Sequence, residues 1–258
     1  MENTIGFGSG SEKLRTAIFH VPHCGWEFPE ELMKDICIDE RKFRSYHSKM
    51  SDTAVTEFIP HQLCHKPFTL IFPVSRLLCD VERFIGEGEV MEKYGMGYCY
   101  EKAFDGAVIK NITPETKEKC LRYYKEHHRL LDETVSKFPS VILIDLHSFS
   151  EDLVMPEYKD ARPMPDICIG ADERFTTEEL DEKAETIFSA AGFTVARNYP
   201  YSGAMVPNAV LKGETDCDLL SIMIEVNKAA YLDEKGEIIE TAKLKIREAI
   251  KEIIEASH

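Results

Sequence analysis

The chain is short of positive charge. Its 31 lysines and arginines stand against 46 aspartates and glutamates, a formal net charge of -15 over 258 residues. That balance disfavours non-specific attraction to nucleic acid or anionic lipid, while leaving room for a local basic pocket that holds a small anionic ligand. No run approaches the roughly 18 apolar residues of a membrane span, and the first residues show no basic segment leading into an apolar one. The expectation is a cytoplasmic protein with neither nucleic-acid nor membrane partners. Paired cysteines are missing too: the eight, at 24, 37, 64, 79, 99, 120, 168 and 217, include no CxxC. They read as free thiols of a reducing compartment and not as a disulfide framework or zinc ribbon. No GxGxxG or GxxxxGK follows the first apolar run, which weighs against a nucleotide-binding protein.

What is present is ordinary for a folded enzyme, with 43% hydrophobic and 30% charged residues. The segment 13–22 reads as a strand broken at Pro22, and Pro29 opens a short helix. Ser51-Asp52 precedes a helical TAVTEFI, and 67–76 has the aromatic and β-branched content of a strand. Residues 86–112 carry five glycines without periodicity and read as a loop or lid. Thr113-Pro114 starts a long helix to about Phe138, with Leu121, Tyr124, His128, Leu131 and Val135 on one face. Strands are expected at 141–147, 166–172, 193–198 and 221–227. One helix closes at Gly192, and another spans about 239–256 with Ile246, Ala249, Ile250, Ile253 and Ile254 inward. Strands alternating with helices indicate an α/β fold: one domain over 1–258, a three-layer α/β/α sandwich on a mixed, mostly parallel sheet.

In such sheets ligands collect where strands end, so the informative positions are those where an apolar run turns polar. Four stand out: His23, Ser75-Arg76, Asp145 with His147, and Glu225 inside IMIEV. Two histidines and a carboxylate are the usual protein ligands of a catalytic zinc, and a further glutamate can serve as base. Asp145, two residues before His147, shares its strand face and is placed to steer the imidazole. Plainer roles compete. A histidine at a strand end is more often a hydrogen-bonded structural residue, and Arg76 and Arg83 are natural partners for Asp80 and Glu82. Glu225 resists the plain reading, because an ionised glutamate in a buried strand is costly without a cation or proton. Its plain alternative is an arginine ion pair. His128 reads as core, and His61, His65 and His127 as surface or locally packed.

Taken in order, these marks resemble the N-formylglutamate amidohydrolase family, whose fold is that of the zinc carboxypeptidases and zinc exopeptidases. Pro22-His23-Cys24-Gly25 resembles its PHxG box, and Asp52 in SDTAV its acidic residue. Ser75, Arg76, Asp80 and Arg83 in SRLLCDVER resemble SRxxxDxNR, and Asp145 to Ser148 resembles DxHS. NYPYSG from Asn198 resembles NxPYxG, and Glu225-Val226-Asn227 with Tyr231 resembles EIN…Y. The resemblance implies one zinc ion held by His23, His147 and an acidic residue, with Glu225 as the base. Carboxypeptidases supply the acidic ligand three residues after the first histidine, which here is Trp26. Related cell-wall amidases take it from the next helix, which points to Asp52, with Glu27 in reserve. It further implies that Ser75, Arg76, Arg83, Asn198 and Tyr201 meet a small anionic substrate, one arginine also stabilising the oxyanion. Glu82 in place of asparagine, and SGAM in place of KGG at 202–205, depart from the pattern where substrate would lie.

The expected activity is zinc-dependent hydrolysis of a small N-acyl amino acid by a monomer or small homo-oligomer. Alternatives are a carboxypeptidase or peptidoglycan amidase on the same site, a cysteine hydrolase using Cys24 and His147, and a non-catalytic metal-binding protein.

Overall fold

The computed structural model describes residues 14–63, 66–86, 88–155 and 162–257. His65 lies outside them. In chain order the elements are β1 (Thr16–Val21), α1 (Glu30–Met33), α2 (Glu40–Met50), β2 (Phe68–Ile71), α3 (Pro114–Val135) and β3 (Ser140–Phe149). There follow β4 (Ile167–Gly170), α4 (Glu178–Ala190), β5 (Val195–Arg197), α5 (Asn208–Leu211), β6 (Asp218–Asn227) and α6 (Glu240–Glu255). The strands form one sheet in the order β2-β1-β3-β6-β4-β5. Strands β2, β1, β3 and β6 are mutually parallel, β4 runs antiparallel to β6, and β5 is parallel to β4. The sheet is thus mixed and mostly parallel, as the alternating pattern required. Among the described residues no helix is long and apolar enough to cross a membrane.

Period-two alternation sorts the strand residues onto two faces. Phe19, Ile144, Ile222 and Ile224 pack with Leu180, Phe188, Ile250 and Ile253, so α4 and α6 cover one face. Ile18, Val141, Leu143 and Leu219 pack with Leu131 and Val135 of α3 on the other. Helix α3 starts where expected, Thr113 Oγ1 accepting from the Thr116 amide at 3.1 Å with Pro114 in its first turn. A second core lies beyond the strand ends, built from Leu32, Phe43, Tyr46, Phe72, Leu77, Leu78, Tyr100 and Ile109.

That second core holds most of the differences from the sequence reading. Helix α2 was not anticipated. Asp39 caps it by accepting from the Lys42 amide, and only Phe43, Tyr46, His47 and Met50 of its charged sequence are buried. The segment 86–112 is irregular, as expected, yet its Met96, Cys99, Tyr100, Ala103 and Ile109 are buried, so it is packed and not a free flap. The helix expected after Asp52 shrinks to one 3-10 turn, Val55–Phe58. Ala54 adopts a left-handed φ of 53°, which breaks the helical run and leaves Asp52 in the extended link before it. Strand β2 is short and mostly exposed, as an edge strand is.

Candidate active site

His20, Asp145, His147 and Glu225 lie on the sheet face that α3 covers. His20 is in register with Asp145, and His147 with Glu225. In-register residues on adjacent strands point the same way, so three strands present their polar residues as one row. His23 follows β1 by two residues, and Asp52 is brought beside it by its amide, which donates to the His23 carbonyl at 3.0 Å. The link carrying Asp52 is braced three times. Thr53 N–H donates to Ser148 Oγ at 3.0 Å, Lys228 Nζ to Ser51 O at 2.7 Å, and Tyr231 Oη to Thr53 O at 2.6 Å.

Both histidines are buried and are held by carboxylates. His23 Nε2 lies 2.9 Å from Asp80 Oδ1, and His147 Nε2 lies 3.0 Å from Asp145 Oδ1. An ionised carboxylate only accepts, so each Nε2 carries the proton in these pairs. On its other side, His147 Nδ1 lies 3.2 Å from Asp52 Oδ2. The two imidazole centroids are 5.1 Å apart. Glu82 approaches both rings, with Oε2 at 3.5 Å from His23 Nε2 and 3.3 Å from His147 Nε2. His23, Glu82 and His147 thereby form a group able to hold a metal ion, and His20, Glu82 and Asp145 form a second. Burial works against a charged His147, but Glu82, Asp145 and Asp52 outweigh it and hold the ring well above the usual histidine range.

Glu225 is 9% exposed and its Oε2 is buried without a hydrogen-bond partner. The arginine pair of the plain reading is not made. Burial first, with Asp52 and Glu82 adding repulsion, pushes its carboxyl up from 4.5 to about 8.

The arginines divide. Arg76 sends Nε (3.2 Å) and Nη2 (2.8 Å) to Asp80 Oδ2 and Nη1 to Met50 O at 3.3 Å, so all three nitrogens already have partners. It is Asp80's counter-ion first, the plain role the sequence also allowed, and it lies in the electrostatic field of Glu225 and Asp52. Arg83 is freer: its Nε makes no hydrogen bond, lying 3.6 Å from Asp80 Oδ2 as a looser ion pair, and Nη2 only reaches Tyr100 Oη at 3.5 Å. Ser75 is corrected. It is fully buried and its hydroxyl is taken by His47 Nδ1 at 2.8 Å and the Leu77 amide at 3.3 Å. Asn198 is exposed, and its Oδ1 accepts from the Ala171 and Gly203 amides, making it a brace of its own loop. Tyr201 packs edge-on to Phe149 and lies in the electrostatic field of Glu225, Arg76 and Arg83. Glu27 is exposed and bonds through its backbone to Pro73 and Ser75, which removes it as the reserve ligand.

Neither Cys24 nor Ser148 is set up as a nucleophile. Burial, then Asp52, pushes the Cys24 thiol up to about 11, away from the thiolate a cysteine hydrolase needs. Ser148 has its hydroxyl engaged by Thr53.

Three residues escaped the sequence reading. His127 is buried, not at the surface, and its Nε2 meets His20 Nε2 at 2.8 Å. His20 Nδ1 in turn faces Asp145 Oδ1 at 2.8 Å. With Asp145 ionised, Nδ1 of His20 is the donor and its Nε2 accepts from His127. Position 20, one of a run of residues with strand character, gave a detectable signal: it lies on the same strand face as Ile18. Tyr100, within the aperiodic segment, donates to Asp80 Oδ2 at 2.8 Å and offered no such signal.

Known proteins share this fold. No curated protein sequence matches the chain. A crystallised N-formylglutamate amidohydrolase from Ralstonia eutropha superposes with a TM-score of 0.72 at 19% identity, covering 95% of each chain. A gene product of Agrobacterium tumefaciens superposes at 0.60 and 18% identity, over 93% of this chain and 92% of that one. At such identity these likenesses speak to the fold. The family described as N-formylglutamate amidohydrolase matches residues 15–232, a span that takes in His23, Asp52, Asp80, His147 and Glu225, and the chain belongs to that family.

Proposed function

We propose that the protein is a zinc-dependent hydrolase that cleaves the amide bond of a small N-acyl amino acid of the N-formylglutamate kind. The observation that carries this reading is Glu225, a buried carboxyl in register with His147 and left with an unpartnered oxygen.

The donor set fits a metal. His147 has carboxylates against both ring nitrogens, and a neutral imidazole has only one N–H to offer. Its Nδ1 side, facing Asp52, calls for a second proton or for a cation. His23 is alike in spending its Nε2 proton on Asp80. Metal-bound histidines characteristically donate their other ring N–H to a carboxylate, which is the part Asp80 and Asp145 play. We therefore assign His23, Asp52 and His147 to hold the ion. Proximity alone would choose Glu82 over Asp52, but Glu82 approaches the Nε2 side that Asp80 and Asp145 already occupy.

When bound, zinc would supply Lewis acidity, strengthening water as a nucleophile and polarising the amide carbonyl. Glu225 takes the proton of the attacking water and returns it to the departing nitrogen. Its burial keeps its proton affinity close to neutral pH, where such an exchange is most efficient. Arg83, with spare donors, receives the substrate carboxylate, and Tyr201 adds a hydroxyl. Glu82 adds a negative charge beside the histidines, so a dianion such as N-formylglutamate is held less tightly here than it would be beside a neutral side chain. The reading places the enzyme in the cytoplasm, where its thiols stay reduced.

The test is metal analysis of the purified protein together with hydrolysis of N-formylglutamate and a panel of N-acyl amino acids. Zinc at about one per chain and activity lost in Glu225→Gln are expected. Metal-free protein with full activity, or an active Glu225→Gln, would sink the proposal.

A further inference from the structure

The second core contains a group the reaction above does not use. Lys110 is 1% exposed, and its Nζ donates to Leu78 O at 2.8 Å and lies 3.7 Å from Cys99 Sγ. Among the described residues it makes no ion pair with a carboxylate. A buried ammonium is costly unless something negative compensates it. The neighbouring group able to become an anion is the Cys99 thiol. Cys120 Sγ lies 3.0 Å from that sulfur and 3.1 Å from Leu78 O, the carbonyl that also accepts from Lys110 Nζ, so its one S–H is shared between two acceptors.

We propose that Cys99 and Cys120 are a peroxide-reactive dithiol site, with Cys99 as the attacking thiolate paired to Lys110 and Cys120 as the resolving thiol. The Cys99 thiolate attacks one oxygen of a hydroperoxide, breaking the O–O bond to give a sulfenic acid and releasing hydroxide or alkoxide. Cys120 sulfur then attacks the sulfenic sulfur, an S–S bond forms, and water leaves with the Cys120 proton. The two thiols lose two electrons in all and the peroxide gains them.

Three further observations agree with these roles. The Cys120 hydrogen bond, aided by Lys110, overcomes burial and draws the Cys99 thiol down to about 7, whereas burial raises Cys79 far above the usual range. Cys99 keeps 6% of its residue surface open and Cys120 none, so Cys99 is the residue of the pair nearer solvent. The sulfurs need to close by only about 1 Å to reach the roughly 2.05 Å of a disulfide. The bond would tie the 95–103 segment to α3, next to Tyr100, whose hydroxyl holds Asp80 against His23.

The experiment treats reduced full-length protein with hydrogen peroxide at neutral pH and digests it without reductant. A linked pair of peptides carrying Cys99 and Cys120, released by dithiothreitol, is expected. Cys120→Ser should stop at a sulfenic acid on Cys99 that dimedone traps. Lys110→Met, which fills the same space without charge, should form the link about tenfold more slowly. Absence of the link in folded, peroxide-treated protein overturns the proposal, as does an unchanged rate in Lys110→Met. Should that variant not fold, the pH profile of Cys99 alkylation by iodoacetamide in the unaltered protein decides. A midpoint near 7 supports the thiolate, and one near the ordinary 9 refutes it.

Discussion

Glu225→Gln should abolish hydrolysis and, in metal-free protein, stabilise the fold by an amount that depends on pH. The sign follows from the carboxyl's proton affinity, raised from 4.5 to about 8 on folding. Between those values the native state binds the proton that the unfolded chain has released, so this group's contribution to stability is fully present below 4.5 and declines as pH rises through 8. Glutamine fills the same space and does not titrate. At 1.36 kcal/mol per pH unit, the advantage of Gln over Glu should be under about 1 kcal/mol at pH 5, about 3 at pH 7 and about 5 at pH 9. Urea denaturation of both proteins with chelator present, at the three pH values, measures it. The difference between variants cancels the titrating groups that do not interact with Glu225. A difference that stays flat across the range would refute the claim that Glu225 is buried without a charge partner. With zinc restored, the advantage should shrink, because a cation beside Glu225 favours its ionised form.

Other outcomes follow from the same geometry. Asp145→Asn, which keeps the shape but weakens the hold on His147 and His20, should lower zinc affinity by about 10- to 100-fold in a chelator competition. Asp52→Asn should weaken zinc more than Glu82→Gln does, and the reverse order would transfer the third ligand to Glu82. Glu82→Asn should raise kcat/KM on N-formylglutamate by about tenfold, mainly through KM, by removing a like charge near the substrate. Thr113→Ala, which deletes the cap on α3, should cost about 1 kcal/mol in thermal unfolding with little change in activity at moderate temperature.

The sheet and its covering helices could be read in advance because their signal is local. Continuous apolar runs such as VILI and IMIEV, and the cap at Thr113-Pro114, fix strand and helix without reference to distant residues. His23, His147 and Glu225 were visible for a related reason: polar residues in or just after buried strands violate the pattern around them. What stayed hidden depends on contacts distant in sequence. Asp80 could be paired with Arg76 in advance, but not with Tyr100 and His23, which reach it from two other segments. The arginines looked equivalent in sequence, and only the direction of their side chains separates one hydrogen-bonded to Asp80 from one that meets it at 3.6 Å with donors to spare. His127 sits on a helix whose polar residues mostly face water, so nothing local distinguished it from them. Helix α2 was missed because eleven residues rich in charge present only a narrow apolar stripe.

The two cores give the site a divided allegiance. His147 and Glu225 belong to the sheet, while Asp80 and Arg83 arrive with the irregular module packed beyond its edge. The candidate site therefore lies on a seam between bodies that need not melt together. In mild denaturant the seam should part first, freeing the His23 ring while β3 and β6 stay paired, so amides of 76–110 exchange before those of 141–149. Zinc spanning His23 and His147 would act as a stitch across it, and the enzyme's working lifetime would then be set by its metal supply as much as by its core.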